Sequence, residues 1–391
     1  MSEPAASGRM TPRQATFAYL FTLYFILGGA ETMMSPLFPL VQPDLNISES
    51  NLAAILAAVS AGIASFNILG GISSRWLTDR SLVRASAVAL AAGMALSAAA
   101  ETFWVLIIGQ TLLGVAFGIY FPPGLASVAR MYRGAEGKAI AVWGQAYSFG
   151  LAAAALSVFA GEGWRWVFAG CAIPPLLAIV YVPRWVEAER DPAPVPWLAQ
   201  LVQNARKLNY RLAFMASFGG VSMHFVVIGF SPTFFESRGV NLWLVGVLLA
   251  AGRILSAPVK LVGGALYDRH GGPWTARLMT TTTFAFGLPL LLAPANVGVW
   301  MLVPFVGMAV SVLPVANAML VAALPPQSGW GIGTFRAALL GSAALLSAIV
   351  SGLLTLGAPL RVLMLISLVL PALVAAAMHR AVEPGATAGP G

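Results

Sequence analysis

The sequence WVEAERDPAPVPWLAQLVQNARKL, residues 185–208, is the longest polar interruption in an otherwise apolar chain. Its charges and prolines are concentrated between Glu187 and Pro196, a composition that breaks helices and favours a linker. Apolar runs of about 20 residues recur on both sides of it, and each is long enough to cross a ~30 Å hydrocarbon layer. The segment therefore divides a membrane-spanning chain into two halves.

The two halves contain equal numbers of predicted membrane spans. We predict spans at about 14–41, 50–74, 82–100, 102–128, 138–160 and 164–184, and again at about 209–235, 241–266, 274–293, 297–322, 329–355 and 359–378. An Asp-Arg pair follows the second span of each half, at Asp79-Arg80 and Asp268-Arg269, so the halves resemble each other. The pattern predicts an all-α membrane protein of twelve transmembrane helices in two pseudo-symmetric six-helix bundles. The predicted segments are an N-terminal tail 1–13, bundles 14–184 and 209–378, the linker 185–208 and a C-terminal tail 379–391.

Composition and charge placement exclude a soluble or nucleic-acid-binding protein. Of the 391 residues, 59% are hydrophobic and 9% charged, whereas soluble domains are about 25% charged. The net charge of +8 comes from Lys and Arg on the side of the linker and the termini, against Arg165, Arg238 and Arg361 on the other side. By the positive-inside rule, both tails and the linker are cytoplasmic in a multi-pass protein of a bacterial inner or plasma membrane.

The sequence contains no residue pattern typical of an enzyme, a disulfide-stabilised protein, or a sensor or scaffold. The one cysteine, Cys171, lies in an apolar run, which excludes a disulfide framework. The three histidines are far apart, and no H-E-x-x-H or G-x-S-x-G string occurs, so we expect no enzyme, no metal and no cofactor. A sensor or scaffold would not need charged residues at the membrane midplane. We expect a monomer, with a small solute, protons and the lipid bilayer as its partners.

One loop carries a resemblance to a known family. The sequence Gly264-Ala-Leu-Tyr-Asp-Arg-His-Gly-Gly272 resembles the G-x-L-x-D-R-x-G motif that follows the second span of each half in the major facilitator superfamily. The resemblance implies transport by alternating access and a conformational latch between helix ends. The implied latch residues are Asp79, Arg80, Gly264, Asp268, Arg269 and Gly271. The first copy is degraded, because Arg75 and Leu82 replace its glycines, which predicts a weaker or differently partnered latch there.

Two further segments extend the resemblance along the chain. Residues 163–168, GWRWVF, resemble the W-R-W-x-F entry to the sixth span, and residues 134–139, GAEGKA, resemble the basic loop before the fifth span. Two features of the family are missing. Gln110 stands where many proton-coupled members have Arg, and Ala154-Ala155 stands where drug antiporters have Gly-Pro. Both absences argue against multidrug antiport.

Two ionisable groups are candidates for proton coupling. A charge in the hydrocarbon layer costs at least ~2.5–3.5 kcal/mol on insertion scales, so such residues are functional candidates. Glu31 lies about 22 Å along the first span, close to Pro36 and Pro39. A carboxylate at this depth is suited to binding a proton. Alternatively, Glu31 is a structural, hydrogen-bonded acid or pairs with a cation of the other half. His224, near the middle of the seventh span, is either a second proton group or a hydrogen-bonded core residue.

Three cations are candidates for substrate binding. Arg253 and Lys260 lie on one face of the eighth span, about 10 Å apart. Lys260 stands where oxalate, monocarboxylate and nitrate porters of the superfamily have a substrate-binding Arg, and Arg336 in the eleventh span also resembles the oxalate-type porters. Alternatively, Lys260 and Arg336 extend to the membrane interface or join the latch.

The hydrocarbon layer contains three cationic side chains and one acidic one. An anionic substrate would offset this surplus of positive charge. Polar and aromatic side chains that could orient such a ligand are Tyr24, Tyr120, Gln145, Tyr147 and Asn317. The sequence thus predicts a secondary active transporter of a small organic anion, coupled to protons. The alternative is a proton-coupled exporter of hydrophobic or cationic drugs or metabolites, in which Glu31 binds cationic cargo.

Overall fold

The computed structural model describes residues 11–73, 76–132, 136–183, 202–323 and 329–381, and all regular structure in these ranges is helical. The helices are α1 Pro12–Thr32, α2 Met34–Leu45, α3 Glu49–Ser73, α4 Asp79–Ala98, α5 Phe103–Met131, α6 Glu136–Ala155, α7 Trp164–Val180, α8 Leu208–Ser222, α9 Gly229–Glu236, α10 Leu242–His270, α11 Gly272–Leu292, α12 Ala295–Gly298, α13 Leu302–Ala323, α14 Gly329–Thr355 and α15 Leu360–Ala381. Short 3₁₀ segments lie at Leu156–Gly163 and Val299–Met301, and a π-helical segment lies at Met223–Ile228.

The number of membrane crossings agrees with the prediction from sequence. Nine stretches of the described chain are long and apolar enough to cross a bilayer, and α1 with α2, bent by 44°, makes a tenth. The stretch Val142–Val180 has 39 residues, about twice the length of one crossing, and Gly161 inside it has φ 54° and ψ −134°. Glycine adopts that positive φ readily, so α6 and α7 are separate crossings. Helix α11, with 21 residues, completes the twelve.

The two halves repeat the same pattern of helix packing. In the first half α1 packs on α6, α3 on α5 and α4 on α7. In the second half α8 packs on α14, α10 on α13 and α11 on α15. These are equivalent pairs in two sets of six crossings, which confirms the pseudo-symmetric bundles.

The halves meet along two helix pairs, α3 with α14 and α6 with α10. The halves touch at one end of the bundle, opposite the end where α1 begins and α15 finishes. There the Ser351 hydroxyl donates to the Ser50 carbonyl at 2.8 Å, and the rings of Phe159 and Trp243 lie 5.6 Å apart. We call this end of the bundle the closed end.

Close helix approach within the first half depends on glycine. A Cβ atom at Gly150 of α6 would overlap the carbonyl oxygen of Phe25 on α1, and one at Gly114 of α5 would overlap the carbonyl oxygen of Val59 on α3. In a membrane no hydrophobic effect separates helices from lipid, so small residues at contacts allow the close packing that holds helices together.

The two copies of the loop motif are in different environments. Asp79 is buried, forms an ion pair with Arg130 at the end of α5 and accepts a hydrogen bond from Ser127 at 3.3 Å. Asp268 and Arg269 are exposed, and neither forms an ion pair with any residue in the described ranges. The reason lies in the sequence, because α13, the counterpart of α5, ends without a basic residue. Gly271, with φ 80°, follows the last residue of α10.

Of the two other latch residues, Arg80 donates to the Val182 carbonyl at 3.3 Å and Gly264 is exposed on α10. At the closed end, Arg165 pairs with Asp44, donates to the Ala100 carbonyl at 2.9 Å and lies 4.3 Å from the centre of the Trp164 ring. The W-R-W-x-F segment thereby links α7 to α2 and to the end of α4.

Some sequence predictions concern residues outside the described ranges. These are residues 1–10 and 382–391 of the predicted tails, Arg184, residues 185–201 of the predicted linker, Arg75 and the loop at 133–135. The cytoplasmic placement of both tails and of the linker stays a prediction from the charge pattern.

Candidate functional site

The break in the first crossing positions Glu31. This residue lies in the last turn of α1, is 6% exposed and accepts a hydrogen bond from the Tyr147 hydroxyl of α6 at 2.7 Å. Gly28, one turn earlier, makes the contact possible, because a Cβ there would lie 2.6 Å from the Tyr147 carbonyl oxygen and 2.9 Å from its ring. The acid is thus held by a neighbour from its own half.

The π-helical segment Met223–Ile228 positions His224 and Phe225. All six of its residues are buried. Single π turns inside α-helices often occur at functional sites, since the wider turn moves side chains out of the α-helical register. The Nε2 atom of His224 is buried and has no hydrogen-bond partner among the described residues.

Helix α10 supplies Arg253, which is 4% exposed. Its Nε and Nη1 atoms are buried without a hydrogen-bond partner in the described part of the chain. Arg253 lines the same cavity as Glu31, and neither Arg253 nor Arg336 forms a salt bridge with Glu31 within the described ranges. Buried donors without partners cost free energy, so this arrangement favours an acceptor group from outside the protein.

A cavity between the halves brings these residues together. It is lined by Glu31, Thr32, Ser35, Leu56, His224, Phe225, Gly229 and Arg253. The first four come from the first half and the last four from the second. The Ser35 hydroxyl donates to the Gly229 carbonyl at 2.5 Å, a further contact between the halves. The space left is about that of one water molecule, so a larger solute requires side chains or halves to move apart.

Beside the cavity lies a group of stacked and tilted rings that we call the aromatic cluster. Its members are Tyr24, Phe117, Tyr120, Phe121, Trp143 and Tyr147. The Tyr24 ring centre lies 4.0 Å from that of Trp143 and 5.4 Å from that of Tyr147. From the other half, the Arg336 guanidinium lies 3.5 Å from the centre of the Phe121 ring, and its Nε has no partner in the described chain.

The other predicted site residues lie outside the cavity lining. The Lys260 ammonium donates to the Ser148 hydroxyl of α6, across the boundary between the halves. The Tyr120 hydroxyl donates to the Leu20 carbonyl at 2.5 Å and accepts from the Trp143 indole at 3.2 Å. Gln145, whose Oε1 is buried without a partner in the described ranges, and Asn317 are half-buried.

Several lining residues were not singled out in the sequence. Thr32, Ser35, Leu56, Phe225 and Gly229 carry no distinguishing signal in an apolar chain, since their role depends on the helix break and the π turn. The Thr32 hydroxyl donates to a carbonyl of its own helix at 3.4 Å, so its donor, like that of Ser35, is already used. Among the described lining residues none is an amide, and the described ranges contain no group of three or more metal-ligating side chains.

Comparisons of sequence place these features in a family context. Residues 20–328 match the family model described as Major Facilitator Superfamily. The chain is 27% identical over 320 residues to the purine ribonucleoside efflux pump NepI of Salmonella typhimurium, covering 77% of each protein. It is 31% identical over 187 residues to the solute carrier family 2 facilitated glucose transporter member 6 of Homo sapiens, which is 42% of this chain and 33% of that relative.

Solved structures share the fold. A bacterial homologue of the human lysosomal transporter Spinster, inward-facing and unoccupied, has a TM-score of 0.74 at 14% identity, covering 96% of this chain and 98% of that one. The nucleoside transporter NupG has a TM-score of 0.73 at 14% identity, with 95% and 100% covered. A D-xylose-proton symporter has a TM-score of 0.71 at 18% identity, with 93% and 96% covered. Likeness at these identities concerns the fold alone.

Proposed function

Since the chain belongs to the major facilitator superfamily and is a membrane transporter rather than an enzyme, we propose that it is a secondary active transporter of a small organic anion, coupled to protons through Glu31. The observation that carries the proposal is Arg253, a buried cation in the cavity with two donor atoms that no described residue satisfies.

The balance of charge supports an anion. Arg253 lines the cavity together with Glu31, and Arg336 lies on the adjoining aromatic cluster, so this region contains two cations and one carboxylate. Buried charges are stable only when paired or hydrogen-bonded. A solute carboxylate would accept from the free nitrogen atoms of Arg253 in charge-assisted hydrogen bonds, and guanidinium groups match the geometry of carboxylates well.

The cavity lining offers few uncharged side-chain donors to a polyhydroxylated solute. Sugars and nucleosides need donors as well as acceptors from their binding site. In this cavity the Thr32 and Ser35 hydroxyls donate to backbone carbonyls, and no described lining residue is an amide. The free donors are on Arg253, and the Nε2 atom of His224 is a donor or an acceptor according to its tautomer. We therefore do not extend the substrates in the relatives' names, glucose and purine ribonucleosides, to this chain.

Coupling follows from the same charges. A proton on Glu31 removes the negative charge that Arg253 and Arg336 share, which leaves both cations freer to bind the anion. Conversely, a bound anion favours the protonated acid, because linkage between two binding events is reciprocal. Proton and anion thus load together, and carboxylate transport runs as symport.

The second candidate is proton-coupled export of a hydrophobic or cationic metabolite. The observation in its favour is the 27% identity to a relative that is named an efflux pump. In that case Glu31 would bind the cargo, and the cations would have no role in recognition.

Proton movement in proteoliposomes tests the proposal across whole classes of solute at once. Vesicles that contain a pH dye receive carboxylates, neutral nucleosides or cationic amines, and protein-free vesicles correct for passive entry of weak acids. We expect carboxylates alone to drive proton entry, and Glu31→Gln, which keeps the shape of the side chain but cannot titrate, to abolish it. Glu236→Gln, which changes an exposed acid at the closed end, is the matched control. Proton flux driven by amines or nucleosides, or flux that persists in Glu31→Gln, would contradict it.

A further inference from the structure

The lining around the free Arg253 donors combines polar groups, which are Glu31, Thr32, Ser35 and His224, with an apolar and partly aromatic side. Phe225 and Leu56 line the cavity directly. The Tyr147 ring is attached to the cavity wall through its hydrogen bond to Glu31 and belongs to the aromatic cluster. A solute whose charge is held by Arg253 can place its uncharged body against Phe225 and towards the aromatic cluster.

The rings of the aromatic cluster are closely packed, and two of them are also held by contacts with α1. Tyr24 stacks on Trp143 with an angle of 15° between the ring planes and on Tyr147 with an angle of 27°. Close contact with Gly28 fixes the backbone and ring of Tyr147, and the Tyr120 hydroxyl is tied to a carbonyl of α1. Rings held in this way lose little entropy when a ligand packs on them, which makes them effective recognition surfaces.

Arg336 combines a positive charge with a contact to the aromatic cluster. Its guanidinium lies 3.5 Å from the centre of the Phe121 ring, and its Nε is buried with no partner in the described chain. A guanidinium that covers a ring with its face directs its N–H groups outward along its edge. A carboxylate on that edge would hold an attached ring close to the aromatic cluster.

We propose that the transported anion is an aromatic carboxylate, with its acid group on Arg253 and Arg336 and its ring against Phe225 and the aromatic cluster. This inference rests on the proposed anion site and names the class of solute for it. Aromatic pairs contribute about 0.5–1.5 kcal/mol beyond the area they bury, whereas a saturated ring of similar size gains from burial alone. The site thus discriminates by the ring's electrons as well as by its charge.

Three probes of similar size separate these effects: benzoate, cyclohexanecarboxylate and benzamide. Ligand-induced stabilisation of the purified full-length protein in detergent gives the affinity of each. We expect benzoate to bind about two- to thirteen-fold more tightly than cyclohexanecarboxylate, the ratio that corresponds to the aromatic contribution. Benzamide, which carries no charge, is expected to bind weakest.

Substitutions of phenylalanine test whether the protein's rings cause the preference for benzoate over cyclohexanecarboxylate. Phe225→Leu should reduce the ratio between benzoate and cyclohexanecarboxylate towards one, and Phe121→Leu is a second variant in case the first does not fold. Phe234→Leu is the matched control, because Phe234 also packs under an arginine, Arg238, but does not line the cavity. It should leave the ratio unchanged.

The outcomes separate failure of this inference from failure of the anion site. Equal affinity for benzoate and cyclohexanecarboxylate, or a preference that Phe225→Leu and Phe121→Leu both leave intact, overturns the aromatic inference while the anion site stands. Binding of acetate or lactate without binding of benzoate or naphthoate has the same meaning. Benzamide binding as tightly as benzoate, or no stabilisation by any carboxylate, overturns both proposals.

Discussion

The charged residues of the membrane layer differ in which hydrogen bonds they already make. Arg253 has two buried nitrogen atoms without partners in the described chain, whereas Lys260 donates to Ser148. A group with unsatisfied donors gains most from a solute, because its desolvation cost has not yet been offset. We therefore place the anion at Arg253 and give Lys260 a role in holding α6 against α10.

Lys260→Gln tests this division. We predict a loss of carboxylate affinity smaller than about three-fold, together with a changed balance between the two access states, since the contact with Ser148 crosses the halves. Ser148→Ala should have the same effect on that balance. Affinity from ligand-induced stabilisation and accessibility of introduced cysteines measure the two quantities. A loss of about ten-fold or more in Lys260→Gln, with Ser148→Ala unaffected, would make Lys260 a substrate ligand.

Individual residues of the candidate site were predictable from sequence to the extent that they carry charge. Glu31, His224 and Arg253 stand out because ionisable groups are costly in an apolar run, and the cavity contains all three. Phe225 and Leu56 could not be found in this way, since apolar residues fill every span. The Tyr147 bond to Glu31 also depends on an approach of α6 to α1 that joins residues far apart in the chain.

At the scale of the helix, glycine contacts set the distance between α1 and α6. Gly150→Ala should destabilise the protein by about 1–3 kcal/mol, the usual cost of overpacking, because the new Cβ would overlap the Phe25 carbonyl. Gly144→Ala on the same helix should be neutral or stabilising by up to about 1 kcal/mol, since nothing described lies within 4 Å of its added Cβ. Thermal unfolding in detergent compares the two variants. Equal melting temperatures would contradict the packing described.

The two copies of the loop motif allow a second comparison between matched variants, Asp79→Asn and Asp268→Asn. Asp79→Asn removes the carboxylate from the ion pair and leaves the half-buried Arg130 uncompensated. We expect a loss of stability of about 1 kcal/mol, the difference between a charge-assisted and a neutral hydrogen bond. Asp268→Asn changes an exposed side chain and should alter stability by less than about 0.5 kcal/mol. The reverse order of effects in thermal unfolding would show that the motif matching the family better is also the stronger latch.

Helix boundaries were predictable where polar residues mark them. The predicted span 329–355 coincides with Gly329–Thr355, and the predicted span 164–184 begins at Trp164 with α7. The 44° bend after Thr32 and the π turn at Met223–Ile228 were not predictable, because a uniformly apolar run conceals a change in helical period. The ion pair between Asp79 and Arg130 was not predictable either, since Arg130 lies at the end of a different helix.

At the scale of the whole molecule, alternating access requires the closed end to open. The Ser351 hydroxyl bonds to the Ser50 carbonyl there, so cysteines at both positions, in a protein with Cys171→Ala, should be joined by a short thiol-specific cross-linker. Cross-linking should stop transport, and cleavage of a reducible linker should restore it, because the tether holds one access state. Either cysteine alone is the control. Full transport by the cross-linked protein would mean that this contact persists through the cycle.

The central claim is that Arg253 binds the negative charge of the solute. Ligand-induced stabilisation of the wild type, Arg253→Gln and Arg238→Gln, measured with carboxylates, neutral nucleosides and cationic amines, tests it most directly. Arg238 is a fitting control because it is exposed and also lies over a phenylalanine ring. We predict that carboxylates alone stabilise the wild type and that Arg253→Gln loses about ten-fold or more in affinity, the equivalent of a charge-assisted hydrogen bond, while Arg238→Gln loses none. Stabilisation by neutral or cationic ligands that survives in Arg253→Gln would contradict the claim and support export of hydrophobic or cationic metabolites.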